Sequence, residues 1–357
     1  MAITLSPLFS DGAVFQRSRE IRVFGEGVGS VTAEFLGETR SVTADGPFEL
    51  DFSAHPAGGP YEMRLFFDGK ETVLHDLMIG EVFFVSGQSN SALTIGETFD
   101  RDTVFPSDPN IRYFMTRRPG VDALPLMRRA EALFSEHWSP LRTEEAVSWS
   151  AIPLHVARYY AQTLHVPIGI LQCDKWGTKI RSFLSEESNA LFREETDAYS
   201  ASMSPEHRNA HLHPAPDRFW NAESFLYHFM LSRCFPYPFR AAIWYQGESD
   251  CGEDAYHDRM LVRMIEEWRE QFRDPSMLFA VIGINDYNAR GHAASSALRA
   301  AQKRASEQTE NCVFADISDL GEWDQIHPRN KREVCARVCE ALDPLLLAAI
   351  RKEISDK

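Results

Sequence analysis

The residues of this chain best suited to chemistry lie where apolar runs end. The run Val82–Val85 consists of β-branched and aromatic residues, which predicts a strand buried on both faces. Ser86-Gly87 interrupts this run, and Ser89 follows where a strand-to-helix turn would lie. Such a turn exposes a side chain at the carboxyl edge of a parallel sheet, where open α/β folds bind ligands. Ser89 is therefore a candidate nucleophile.

A serine hydroxyl needs a base within hydrogen-bond reach, and the base needs a third group that orients it. The candidate base is His327, in the loop that follows a predicted strand, Cys312–Ile317. Asp324 lies three residues earlier and could accept a hydrogen bond from one ring nitrogen, which leaves the other for Ser89. Glu322 is the next candidate for this orienting role. Because the chain contains 12 histidines, an ordinary loop and helix-capping role for Asp324 and His327 stays open.

Donors for a developing oxyanion are predicted at two other strand ends. Gln246 follows the apolar run Ala241–Tyr245 and could direct its amide N–H groups at the oxyanion. Gly177 could present its backbone N–H beside that of Ser89, although a glycine needed only for the turn is an equal alternative. Glu248 either anchors its loop by pairing with an arginine or acts on substrate, and the anchoring role is favoured.

The elements that position these residues alternate between strands and helices from Gly80 onward, which predicts a doubly wound α/β domain. The predicted strands after Glu81–Val85 are Ile111–Met115, Val166–Leu171, Ala241–Tyr245, Leu278–Ile284 and Cys312–Ile317. The predicted helices are Leu154–Leu164, Asp254–Gln271, Ala293–Ser306 and Asn330–Ile350. Residues 1–76 instead show short alternating runs between turn signals such as Gly27-Val28-Gly29 and Asp45-Gly46-Pro47. This pattern predicts a small N-terminal β-sandwich before the α/β domain at 77–357.

Composition narrows the possible partners. The net charge of −15 without a basic stretch argues against nucleic acid and anionic membranes as partners. Six cysteines lack the spacing of a disulfide framework or a zinc site, so free thiols and no metal are expected. The N-terminal residues lack a secretory pattern and no apolar run reaches membrane-spanning length, so a cytoplasmic location is expected. Oligomeric state is not encoded in any recognisable pattern.

Three segments together resemble the motifs of the sialate O-acetylesterase family, a branch of the SGNH (GDSL-like) hydrolases. They are Gly80–Asn90, Trp244–Ser249 and Ile326–Lys331. The resemblance implies a three-layer, flavodoxin-like α/β domain with a parallel sheet, preceded by the β module of bacterial members. It also implies that Ser89, His327 and Asp324 form a catalytic triad, with the oxyanion held by Ser89, Gly177 and Gln246.

The implied activity is removal of acetyl groups from sugar hydroxyls through an acyl-enzyme, without a metal or organic cofactor. Its substrate would be an acetyl ester of a small sugar or an oligosaccharide. Two alternatives stay open: a carbohydrate-binding protein with a degenerate SGNH domain, and an esterase for non-sugar short acyl esters.

Departures from the family pattern concern the substrate. The family usually shows a Gly-Gly-Thr triplet, whereas Trp176 replaces the first glycine here. Arg181 stands where members often carry an acidic residue. Trp176, Arg181 and Glu248 are the predicted substrate contacts, and Arg181 or Arg117-Arg118 could pair with the carboxylate of a sialic acid.

Overall fold

A computed structural model describes residues 3–122, 124–205, 216–287 and 292–355. Its strands are β1 Thr4–Leu5, β2 Val14–Gln16, β3 Ile21–Phe35, β4 Glu38–Phe52, β5 Gly58–Phe67, β6 Lys70–Gly87, β7 Asp108–Met115, β8 Ser139–Leu141, β9 Ile168–Asp174, β10 Ala241–Tyr245, β11 Leu278–Ile282 and β12 Cys312–Ala315. The α-helices are α1 Ser89–Ala92, α2 Pro125–Phe134, α3 Ala151–Leu164, α4 Glu186–Ala190, α5 Arg193–Ser202, α6 Asp254–Gln271, α7 His292–Gln308 and α8 Lys331–Ser355.

The central sheet follows the order β8-β7-β9-β6-β10-β11-β12, and all neighbours are parallel except β7 and β8. The five strands β9-β6-β10-β11-β12 reproduce the 2-1-3-4-5 order of flavodoxin-like sheets, with β7 and β8 added outside β9. The predicted α/β class is therefore confirmed. The helix predicted at Asp254–Gln271 has the predicted bounds, whereas α3 begins three residues early because Pro153 is tolerated in a first helical turn.

Strand β6 lies at the centre of three layers. Its side chains alternate between the two faces, so that Phe84 packs edge-on against Trp268 of α6 at 5.5 Å between ring centroids. Phe83 points to the other face and stacks on Tyr160 of α3 at 4.6 Å. Each fully buried aromatic side chain contributes on the order of 2–3 kcal/mol through burial.

The N-terminal strands form an antiparallel sheet in which β3 pairs with β1, β4 and β5, and β5 pairs with β6. The sequence predicts breaks near Gly27 and Gly46, but both glycines lie inside long strands. They are direct partners in the β3–β4 ladder, and the turn falls at Leu36-Gly37 instead. The sandwich arrangement of this module stays a prediction, as does its boundary.

The predicted boundary at residues 76 and 77 falls within β6. The first part of this strand pairs with β5, and the part from Glu81 onward pairs with β9 and β10. One strand thus passes from the N-terminal sheet into the central sheet and ends next to Ser89. None of the helices in the described ranges combines the length and apolar character needed to cross a lipid bilayer.

His257 on α6 is a buried titratable group whose ring nitrogens have no hydrogen-bond partner within the described residues. Burial lowers the pKa of His257 to about 4. The unfolded chain therefore binds a proton between about pH 6.5 and pH 4 that the folded protein excludes. This contribution to stability is complete above pH 6.5 and is lost as the pH falls through that window.

We expect His257→Leu to reduce the acid sensitivity of the fold. Between pH 7 and pH 5 the wild type should lose on the order of 2 kcal/mol of unfolding free energy at this site, and the variant should not. Urea unfolding at the two pH values measures the difference, with His137→Leu at an exposed histidine as the control. Equal pH dependence in wild type and His257→Leu would contradict this account.

Candidate active site

The side chains of Ser89 and His327 meet at the carboxyl edge of the central sheet. Ser89 Oγ lies 2.8 Å from His327 Nε2, and Ser89 is 7% exposed. Strand β6 ends at Gly87, which has a φ of 138°, and Ser89 follows two residues later. A Cβ at Gly87 would lie 2.1 Å from the carbonyl oxygen of Tyr245, so no larger residue fits this close strand contact. The predicted nucleophile and base are thus brought together.

This pair occupies the switch point of the sheet. Strand β6 is flanked by β9 on one side and β10 on the other, and the chain order reverses there. Open α/β sheets bind ligands in the crevice outside the carboxyl ends of such strands. The crevice here holds a cavity of about 210 Å³. This reaction cavity is lined by Gln88, Ser89, Leu124, Met127, Trp176, Gly177, Arg218, Glu248, Ser249, Ile326 and His327.

The surroundings of His327 keep its imidazole in the form that can accept a proton. Burial, and secondarily the positive charge of Lys331, lowers the pKa of His327 to about 4. The imidazole is therefore neutral at pH 7, and its Nε2 can accept the proton of the Ser89 hydroxyl.

Asp324 does not orient His327 in this structure. In the described ranges no hydrogen bond joins the two residues, and Asp324 is exposed. The reason is local: a β-bridge between Glu322 and Gln325 forms a tight turn, and Asp324 lies in this turn on the solvent side. Glu322 is also occupied, because it accepts hydrogen bonds from the backbone N–H of Arg329 at 2.7 Å and from its guanidinium.

The predicted oxyanion donors divide into two groups. The backbone N–H groups of Ser89 and Gly177 have no acceptor within the described residues, and both residues line the reaction cavity. Gln246 differs from its predicted role. Its Nε2 donates to the carbonyl oxygen of Thr178 at 2.9 Å and to the carboxylate of Asp250 at 2.7 Å, which uses both amide hydrogens. Gln246 is a brace between loops in this structure.

Two of the three predicted substrate contacts lie at the reaction cavity. Trp176 and Glu248 line the reaction cavity, but Arg181 does not. Arg181 is buried in a 3₁₀ turn. Against the effect of burial, the pKa of Glu253 is lowered mainly by Lys179 and to a smaller extent by Arg181. Arg118 is likewise buried and is paired with Asp122 and Asp174.

Arg218 is a cavity residue that the sequence analysis missed. It is exposed, lies over the Trp176 ring at 5.6 Å and has no ion-pair partner within the described ranges. The sequence offers only the neighbouring aromatic residues Phe219 and Trp220, and nothing in it indicates which sheet edge this segment approaches.

Behind the reactive pair lies a buried polar network that the sequence analysis also missed. Asn90 donates to the carboxylate of Glu248 and, at 3.0 Å, to the carbonyl oxygen of Ile326. Its Oδ1 accepts from Lys331 Nζ at 2.6 Å. Among the described residues, Glu248 is thus anchored by an asparagine.

Metal coordination has no obvious donor set in the described part of the chain. No group of three or more histidine, cysteine, aspartate or glutamate side chains is placed there to hold a metal ion.

Comparison with solved structures agrees with the geometry of the fold. A carbohydrate acetylesterase from Xanthomonas citri matches with a TM-score of 0.80 and 24% identity, over 97% of this chain and 76% of that chain. The similarity establishes a shared fold.

Sequence comparisons show similarity to one family of carbohydrate esterases. Residues 215–339 match the model of a carbohydrate esterase family described as sialic acid-specific acetylesterase. Sialate O-acetylesterases of Homo sapiens and Pongo abelii are each 24% identical over 234 residues, which is 60% of this chain. The chain covers 41% of the length of these relatives. The resemblance to the sialate O-acetylesterase family is confirmed, and the named relatives agree with the predicted class of carboxylic ester hydrolases.

The exposed position of Asp324 leads to a specific expectation. Asp324→Asn should change kcat/KM for 4-nitrophenyl acetate by no more than about twofold, as for most surface substitutions. Steady-state kinetics at pH 7 measures this. A fall on the order of 10⁴ would instead show that the loop turns Asp324 onto the imidazole when substrate binds.

Proposed function

We propose that this protein is a carbohydrate O-acetylesterase that uses Ser89 as nucleophile and His327 as general base. The observation that carries the proposal is the 2.8 Å contact between Ser89 Oγ and His327 Nε2 inside the reaction cavity. The similarity to sialate O-acetylesterases supports acetyl esters of sugars as the substrate class.

In the proposed reaction Ser89 Oγ attacks the acetyl carbonyl carbon while His327 Nε2 takes the hydroxyl proton. The oxyanion that forms is stabilised by the N–H groups of Ser89 and Gly177. His327 then returns the proton to the departing sugar oxygen, which leaves acetyl-Ser89. Water, deprotonated by His327, attacks this ester, and acetate leaves as Ser89 regains its proton.

The third member of a Ser-His-Asp triad would require a local rearrangement. Asp324 would have to leave its exposed position in the turn at Glu322–Gln325 to bind His327. The proposed mechanism is written without that movement, because Nε2 of His327 already lies 2.8 Å from the Ser89 hydroxyl.

The walls of the reaction cavity favour an acetyl group attached to a sugar. Leu124 and Met127 provide apolar surface for a methyl group, and Trp176 provides an aromatic face on which a sugar ring can stack. Arg218 beside Trp176 could form a bidentate pair with the carboxylate of a sialic acid.

A second candidate is an esterase for short non-sugar acyl esters, favoured by the same apolar pair, Leu124 and Met127. Comparing acetyl with butyryl esters separates the two. The volume of about 210 Å³ must accommodate both acyl group and alcohol, so we favour acetyl.

Ser89→Ala tests the nucleophile. We expect acetate release from 4-nitrophenyl acetate and from acetylated sugars to fall by at least about 10⁴-fold, because no acyl-enzyme can form. Ser148→Ala removes a buried hydroxyl away from the cavity and is the matched control. Substantial activity in Ser89→Ala would refute the nucleophile assignment.

Arg218→Gln tests the sugar class. We expect KM for 9-O-acetylated sialic acid to rise by about 10- to 100-fold, since a charge-assisted bond to the carboxylate is lost. KM for acetylated xylose, a neutral sugar, should be unchanged. Arg218→Lys keeps the positive charge but loses the planar guanidinium that binds a carboxylate through two donors. Its KM for the sialic acid ester should lie between those of the wild type and Arg218→Gln. An equal change for both sugars would contradict a carboxylate contact.

A further inference from the structure

We propose that Lys331 is a positioning residue for the esterase reaction. Through Asn90 it ties the Ser89 turn to the loop that carries His327, and its buried charge favours the base form of the imidazole. This inference rests on the proposed function and adds to it a residue outside the reacting pair.

The position of Lys331 is costly for the fold. Its side chain is fully buried at the first residue of α8, and within the described ranges no carboxylate lies within ion-pair distance. Its ammonium group has the Oδ1 of Asn90 at 2.6 Å and the ring of Tyr245 at 4.8 Å. Burying a charge without a directly paired counter-charge destabilises a protein, so an apolar residue would serve stability better. A functional role explains why a lysine occupies this site.

Lys331 fixes which way the Asn90 amide points. When protonated, the amino group of Lys331 can only donate hydrogen bonds, so it requires the oxygen of the amide to face it. The amide nitrogen then faces the other way, towards the carbonyl oxygen of Ile326 at 3.0 Å and the carboxylate of Glu248.

Asn90 connects the two reactive residues through their neighbours. It follows Ser89 in α1, and its partner Ile326 precedes His327. Asp324 faces solvent and makes no such connection. Among the described residues, the serine turn and the histidine loop are therefore joined by the Asn90–Ile326 hydrogen bond and by the direct Ser89–His327 contact. An oriented Asn90 therefore holds the 2.8 Å geometry that proton transfer needs.

The charge of Lys331 acts on His327 in a definite direction. It adds to burial in lowering the pKa of His327 to about 4. Burial also lowers the pKa of Lys331 itself to about 7, against opposing contributions from Glu248, Cys335 and Glu322. Lys331 is thus protonated throughout the range in which His327 titrates. Removing its charge must raise the pKa of His327.

Three variants separate these effects, with 4-nitrophenyl acetate as the substrate. We expect Lys331→Met to lower kcat by up to about 100-fold with little change in KM, and to move the acidic limb of the kcat/KM profile to higher pH. Lys331→Arg should keep the acidic limb in place. Asn90→Ala should lower kcat in the same way but leave the acidic limb at its wild-type pH, because the positive charge of Lys331 is still present.

Arg240→Met is the control for losing a buried cation. Arg240 precedes β10 at the opposite end of the sheet and pairs with Glu81 and Glu353, so its loss should lower the melting temperature but leave the pH profile unchanged. Thermal unfolding of every variant identifies those that fail to fold, and Asn90→Ala then tests the link if Lys331→Met is unfolded.

The outcomes are distinct. If Lys331→Met folds and keeps wild-type kcat with an unshifted acidic limb, the positioning role is overturned. If Asn90→Ala keeps wild-type kcat, the link through Asn90 is overturned. If instead the wild type releases no more acetate than Ser89→Ala, the proposed function itself fails.

Discussion

The close pairing of β6 with β10 is the constraint on which the site depends. The two strands stay in register up to Gly87 and Tyr245, and the missing side chain at Gly87 lets the backbones meet. The chain must then turn sharply, which places Ser89 at the switch point of the sheet. Because β6 also continues back into the N-terminal sheet, the position of the serine is fixed by both parts of the molecule.

The electrostatics of the site follow from burial more than from paired charges. His327 is held neutral by its surroundings, and two buried charged groups, Lys331 and Glu248, both bind the amide of Asn90. A neutral amide between two buried charges keeps them apart while it orients both loops. Burial also keeps His257 neutral. Acidification therefore both destabilises the fold, by protonating His257, and inactivates the base, by protonating His327.

The parallel strands of the α/β part, the four predicted helices and the Ser89–His327 pair were within reach of the sequence because they depend on local patterns, whereas α2, α4 and α5 were not predicted. Apolar runs that end in glycine and polar residues mark strand ends, and parallel strand ends share one edge. Side-chain partners were not within reach. The amide of Gln246 donates its hydrogen bonds to Thr178 in a neighbouring loop and to Asp250 in its own turn. No local sequence pattern shows that these partners bind the amide in place of an oxyanion. Lys331, at a helix start, looks like an ordinary surface residue until the fold buries it.

The central claim is that Ser89 is a nucleophile activated by His327. The most direct measurement is labelling with diethyl 4-nitrophenyl phosphate, which modifies activated serines, followed by peptide mass spectrometry. The account predicts a diethylphosphoryl group on Ser89, loss of acetate release in proportion to labelling, and no labelling in His327→Ala. Full activity with Ser89 unmodified, or labelling of Ser89 that is just as fast in His327→Ala, would contradict it.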